Sequence, residues 1–147
     1  MPFTERLSEV LYPLDADYAD SHDAGTTDGT YVSMQNYHRG WLVLNVGTMQ
    51  ATATLACSIR QATDTSGTSA KAITGKSITL LSQAGGDGDQ LVEIELRTEE
   101  LDVQHGFDCV SIRVVVAAAA VEYSYVFYGA IPRFSPVPTT NLAEIVG

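Results

Sequence analysis

Ala51-Thr52-Ala53-Thr54-Leu55-Ala56-Cys57-Ser58-Ile59-Arg60 decides the fold class. Ala51, Ala53, Leu55, Cys57 and Ile59 fall on one side of an extended chain, and Thr52, Thr54, Ala56, Ser58 and Arg60 on the other. A period of two is the mark of a half-buried β-strand, because successive side chains of a strand point to opposite faces. The pattern recurs in both directions. Upstream lies the apolar segment Trp41 to Val46. Downstream, Ile73 to Leu81 reads as a further strand, and then Gln90, Val92, Ile94 and Leu96 alternate with Glu93, Glu95 and Arg97. Val110, Ile112, Val114 and Val116 alternate with Ser111, Arg113 and Val115. In the last segment Val121, Tyr123, Tyr125 and Phe127 oppose Glu122, Ser124, Val126 and Tyr128. Both faces of that segment are substantially apolar, which predicts a strand that is central or lies beneath another surface.

Turn signals separate these runs. Thr63 to Ala70 is a Ser/Thr/Gly loop, and Gly85-Gly86-Asp87-Gly88-Asp89 supplies glycines for positive φ and aspartates for local backbone bonds. Thr98-Glu99-Glu100-Leu101 with a stop at Gly106 predicts one helical turn. Short strands at this spacing, without alternating long helices, predict an all-β fold, an antiparallel β-sandwich or jelly roll. The predicted body is residues 37–131. Residues 1–36 carry Glu5, Glu9, Asp15, Asp17, Asp20, Asp23 and Asp28 against Arg6 alone. They read as an acidic N-terminal arm, with Leu7, Val10, Leu11 and Leu14 spaced for about two helical turns around Pro13. Pro132, Pro136 and Pro138 exclude sheet interior, leaving residues 132–147 as a proline-rich C-terminal tail.

The chain has 147 residues, 45% of them hydrophobic, enough for one domain with an ordinary core. Its net charge of −10 repels phosphate backbones and argues against direct nucleic-acid binding. The same charge keeps a protein made in many copies soluble. The longest apolar run, Val114 to Val121, has the length of a strand rather than of a membrane span. Met1 to Arg6 lacks the basic start and apolar stretch of a secretory signal. With only Cys57 and Cys109 present, the expectation is synthesis in a reducing cytoplasm and two buried free thiols.

The chemistry-bearing motifs are incomplete. Ala70-Lys71-Ala72-Ile73-Thr74-Gly75-Lys76-Ser77 ends like a phosphate-binding loop, but its first glycine is Ala70 and a strand follows where a helix must open. Asp15, Asp17, Asp20 and Asp23 miss the calcium-loop spacing, with Asp20 where glycine belongs and Thr26 where glutamate belongs. His22, His38 and His105 are far apart and unaccompanied by cysteine. Glu99, Glu100 and Asp102 offer a carboxylate pair, yet acidic residues beside a turn are the usual start of a helix. The expectation is a chain that is not an enzyme and has no metal or cofactor. The one ligand platform in view is aromatic: Trp41 with Tyr123, Tyr125, Phe127 and Tyr128 would stack on sugars if exposed, or pack the sheet if not.

A set of segments carries a resemblance. Gly40-Trp41-Leu42-Val43-Leu44-Asn45-Val46-Gly47, Arg60-Gln61-Ala62-Thr63-Asp64-Thr65-Ser66-Gly67 with Lys71-Ala72-Ile73, Glu100-Leu101-Asp102-Val103 running into Gly106-Phe107, and Tyr128-Gly129-Ala130-Ile131-Pro132-Arg133-Phe134-Ser135-Pro136 resemble small virion proteins of tailed double-stranded DNA bacteriophages. The resemblance spans roughly residues 37–138. It implies a β-sandwich that decorates the outer surface of the head and clamps major capsid subunits, as a homo-oligomer with a trimer favoured. A place at the head–tail joint or in the tail is the alternative, as is a carbohydrate-binding module for host attachment. On the arm-and-tail reading, the contacts to the capsid protein fall on Phe3, Leu7, Leu11, Tyr12, Tyr18, Phe134, Val137, Leu142 and Ile145.

Overall fold

The computed structural model describes residues 6–134 and 141–146. After one helical turn, α1 (Leu7–Val10), come ten strands: β1 (Leu11–His22), β2 (Gly25–Asp28), β3 (Val32–Ser33), β4 (Tyr37–Met49), β5 (Thr54–Ala62), β6 (Lys71–Ser77), β7 (Leu81–Ser82), β8 (Gln90–Arg97), β9 (Cys109–Ala117) and β10 (Val121–Pro132). They form two antiparallel sheets. The first runs β1-β10-β4-β8, and the second β2-β9-β5-β6, with β3 also on β9 and β7 also on β5. The fold is therefore the all-β sandwich that the alternation predicts. The chain changes sheet after β1, β3, β4, β7, β8 and β9, so most neighbouring strands are distant in sequence.

The core is the set of inward positions on the two facing sheets. β4 contributes Leu42, Leu44 and Val46, β8 Ile94 and Leu96, and β10 Val121, Tyr123, Tyr125 and Phe127. Opposite them stand Leu55, Cys57 and Ile59 of β5 and Val110, Ile112, Val114 and Val116 of β9. Both cysteines are free and buried. Gly40 and Gly129 face each other across β4 and β10. A Cβ on Gly40 would lie 2.7 Å from the Phe127 ring, and one on Gly129 2.7 Å from Tyr37, so the glycine pair is what lets these rings pack flat on the sheet.

Three expectations are corrected. Residues 11–33 are not an arm apart from the body: β1 pairs with β10 from Leu11↔Ala130 to His22↔Val121, and β2 and β3 pair with β9. Backbone pairing with strands a hundred residues away makes this acidic stretch a strand, which its own side chains do not announce. The helix is one turn, because β1 begins at Leu11 and Pro13 sits within that edge strand. The strand expected over Ile73 to Leu81 ends at Ser77, where Ile78 donates its N–H to the Cys57 carbonyl before β7 begins at Leu81.

The Val114 to Val121 run also contains a corner. β9 ends at Ala117, Ala118 takes a left-handed φ of 69°, and Val121 opens β10 in the other sheet.

Candidate partner-binding face

The inward residues of β4 and β10 alternate with outward ones, and the register arranges the outward set in rows. Leu11, Ala130, Arg39 and Arg97 form one row across β1, β10, β4 and β8. Pro13, Tyr128, Trp41 and Glu95 form the next, then Ala16, Val126, Val43 and Glu93. A fourth row has Ser124, Asn45 and Leu91. The middle of this face is apolar and aromatic over three strands, and among the described residues it has no covering element. Trp41, Val43, Val126 and Tyr128 are half-buried, while Leu91 is 71% exposed. The Trp41 and Tyr128 rings lie 5.6 Å apart and tilted by 31°. The Trp41 indole Nε1–H donates to Glu93 Oε2 at 3.0 Å, which holds the ring against the sheet and leaves its other face open. Trp41, Val43, Asn45, Leu91, Ser124, Val126 and Tyr128 line a shallow groove of about 400 Å³ on this surface.

The contact residues expected from the sequence do not gather into one patch. Phe3 and Val137 lie outside the described residues. Tyr12 is in the core, 3% exposed, because strand parity turns it inward opposite Gly129, and its hydroxyl accepts the Asn141 N–H at 2.8 Å. Leu142 packs on the core rather than standing free. Leu7 (71%), Tyr18 (84%), Phe134 (75%) and Ile145 (45%) are exposed, but Tyr18 sits in a β1 bulge and Phe134 beyond the far end of β10. Leu11 alone joins the apolar face. The aromatic platform divides likewise: Tyr123, Tyr125 and Phe127 are core, and Trp41 and Tyr128 face out. The sequence signal for the face was the double-sided apolarity of β10.

The remaining candidate chemistry is absorbed by turns. Glu99 and Glu100 open a 3₁₀ turn, Thr98–Glu100, and Asp102 precedes a second, Val103–His105. Asp102 meets Lys71 Nζ at 2.5 Å and His105 Nδ1 at 2.6 Å, and these hydrogen bonds hold its carboxyl below the usual carboxylate range. Glu100, which accepts the Arg97 backbone N–H at 2.8 Å and meets Lys76 at 2.9 Å, is lowered for the same kind of reason, and Glu99 is lowered by its own backbone N–H first and by Arg39 second. Lys76, in the phosphate-loop-like run, lies on β6 and donates to the Glu95 carbonyl of β8, tying the edges of the two sheets together. Among the described residues no three of His, Cys, Asp and Glu are grouped to hold a metal ion, and no helix is long and apolar enough to cross a membrane.

No family model and no curated protein matches the chain. Two solved structures are similar to it. One, from infectious bursal disease virus Gx strain, has 13% identity and a TM-score of 0.36, and the match covers 82% of this chain. The other, from the Gt strain, has 12% identity and a TM-score of 0.26 over 84% of this chain. This chain spans 32% and 42% of those chains. Likeness at that level carries no functional weight.

Proposed function

We propose that this chain is a non-enzymatic structural protein of a tailed-bacteriophage virion. In this reading it decorates the outside of the expanded head and bridges neighbouring major capsid subunits, as a trimer. It is made in the host cytoplasm. The observation that carries the reading is the apolar face around Trp41, Val43, Val126 and Tyr128, uncovered by the described residues, on a chain of net charge −10. A soluble, strongly acidic body with one flat apolar surface is built to bind a protein lattice and to avoid packaged DNA. The segments that resemble phage virion proteins supply the setting. Binding only the expanded lattice stabilises it by mass action, about 2.7 kcal/mol per site at a free concentration a hundred times Kd.

The test is to mix purified chain with expanded and with unexpanded heads that lack it. Co-sedimentation should saturate on expanded heads alone and raise their disruption temperature. Absence of binding to either form would refute the decoration role. Binding confined to isolated necks or tails would move the chain to the head–tail joint. Trp41 and Tyr128, side by side and facing out, favour a second reading as a sugar-binding module. Glycan binding that quenches Trp41 fluorescence would select it.

A further inference from the structure

We propose that the outer face of the four-stranded sheet docks a protein surface with an apolar centre and a cationic border, and not a second copy of this chain. The inference deepens the decoration reading and rests on it only for the identity of that partner. Its basis is the charge around the face. On the β8 side, Glu93 and Glu95 project beside Val43 and Trp41, and Glu122 of β10 lies beside Gly47, past the Ser124–Asn45 row. All three are exposed, and none forms an ion pair among the described residues.

Two cations, Arg39 and Arg97, stand in the first row of this face and are already paired, and the other cations of the body are bound away from it. Arg39 pairs with Glu99, Lys71 with Asp102, Lys76 and Arg97 with Glu100, and Arg113 with Asp28. Arg60 donates to the Ala70 carbonyl and Arg133 to Thr98 Oγ1. A second copy laid on this face would bring Glu93, Glu95 and Glu122 into the seam twice over, while the arginines of the face itself, Arg39 and Arg97, are already neutralised by Glu99 and Glu100. A partner whose border carries Lys or Arg meets the three carboxylates directly, and its apolar centre covers Trp41, Val43, Val126 and Tyr128. Charge at the rim of such a contact sets association rate and salt dependence, while the desolvated aromatic centre sets residence time.

The test uses the full chain and two synthetic strand-forming peptides, one of alternating Leu and Lys, the other of alternating Leu and Glu. The Leu/Lys peptide should bind, with affinity falling as salt rises, and the Leu/Glu peptide should not. Glu93→Lys/Glu95→Lys should weaken Leu/Lys binding about tenfold or more, and so should Val43→Glu. Asp23→Lys/Asp64→Lys, an equal charge change in two loops away from the outer face of the four-stranded sheet, should alter it less than about twofold. Sedimentation of wild type and Val43→Glu should give the same oligomer mass. An equal loss from both double-lysine variants would reduce the effect to net charge and overturn the proposal. A dissociation of the oligomer by Val43→Glu would make the face a self-interface and overturn it as well. Because no head is used, failure here leaves the head-binding test of the decoration role intact.

Discussion

At the scale of single residues, the acidic strand β1 places one carboxyl under the sheet edge. Asp15 Oδ2 accepts the Tyr125 hydroxyl at 3.1 Å, and burial pushes the Asp15 carboxyl up from its ordinary value. The folded chain thus keeps this proton to higher pH than the unfolded chain, whose value is about 3.9. Stability from this group is greatest in acid and is lost as pH rises from that value through the raised folded one. Asp15→Asn, which can still accept from Tyr125, should raise the melting temperature at pH 7 and leave it nearly unchanged at pH 3. A variant melting lower than wild type at pH 7 would contradict the account. Asp28 works in the opposite sense: its bonds to Arg113 hold its carboxyl low, so its contribution is present at neutral pH and lost in acid. The thiols supply a second residue-scale prediction. Burial first, and Asp108 as well for Cys109, pushes Cys57 and Cys109 up to about 12. Native protein at pH 8 should resist iodoacetamide, and unfolding should expose both thiols to it; rapid alkylation of the folded chain would show that the sheets open there.

At the scale of elements, legibility follows how each strand earns its place. β4, β5, β8, β9 and β10 bury one full side, so period-two alternation marks them in the sequence. β1 buries only Tyr12 completely, and its inward Asp15 and Asp17 look like solvated charges. It is a strand because β10 offers it a backbone edge, and no local pattern encodes a partner so far along the chain. The outer face was legible only in part, since an apolar residue on either side of a strand reads as core until the second sheet is placed. Tyr12 is hidden for a related reason: once 1–36 reads as an arm, its ring has no sheet to turn into, whereas the structure buries it opposite Gly129. The structure therefore predicts that deleting residues 1–20 does more than remove a tether. It strips the edge from β10, uncovering Tyr125 and Phe127, and should give an insoluble chain or one whose melting temperature falls by more than about 10 °C. A deleted chain that stays folded at its original melting temperature would restore the separable arm.

At the scale of the whole molecule, charge is distributed along the strand axis. One end holds Asp20, Asp23, Asp87, Asp89 and Glu122 around the start of β10, with no Lys or Arg among the described residues there. The other end collects Arg39, Lys71, Lys76 and Arg97 into ion pairs with Glu99, Glu100 and Asp102. The sandwich thus carries ion pairs at one end, is repulsive to anions at the other, and is apolar on one broad side. The proposed decoration role would use these features for dense, ordered placement on a protein surface facing water. The most direct measurement of that claim is the absolute number of copies of this chain per purified particle, by quantitative mass spectrometry against the major capsid protein. Decoration of the head predicts hundreds of copies in a simple ratio to the capsid subunit. About a dozen would place the chain at a vertex, neck or tail, and its absence from the particle would contradict the virion role.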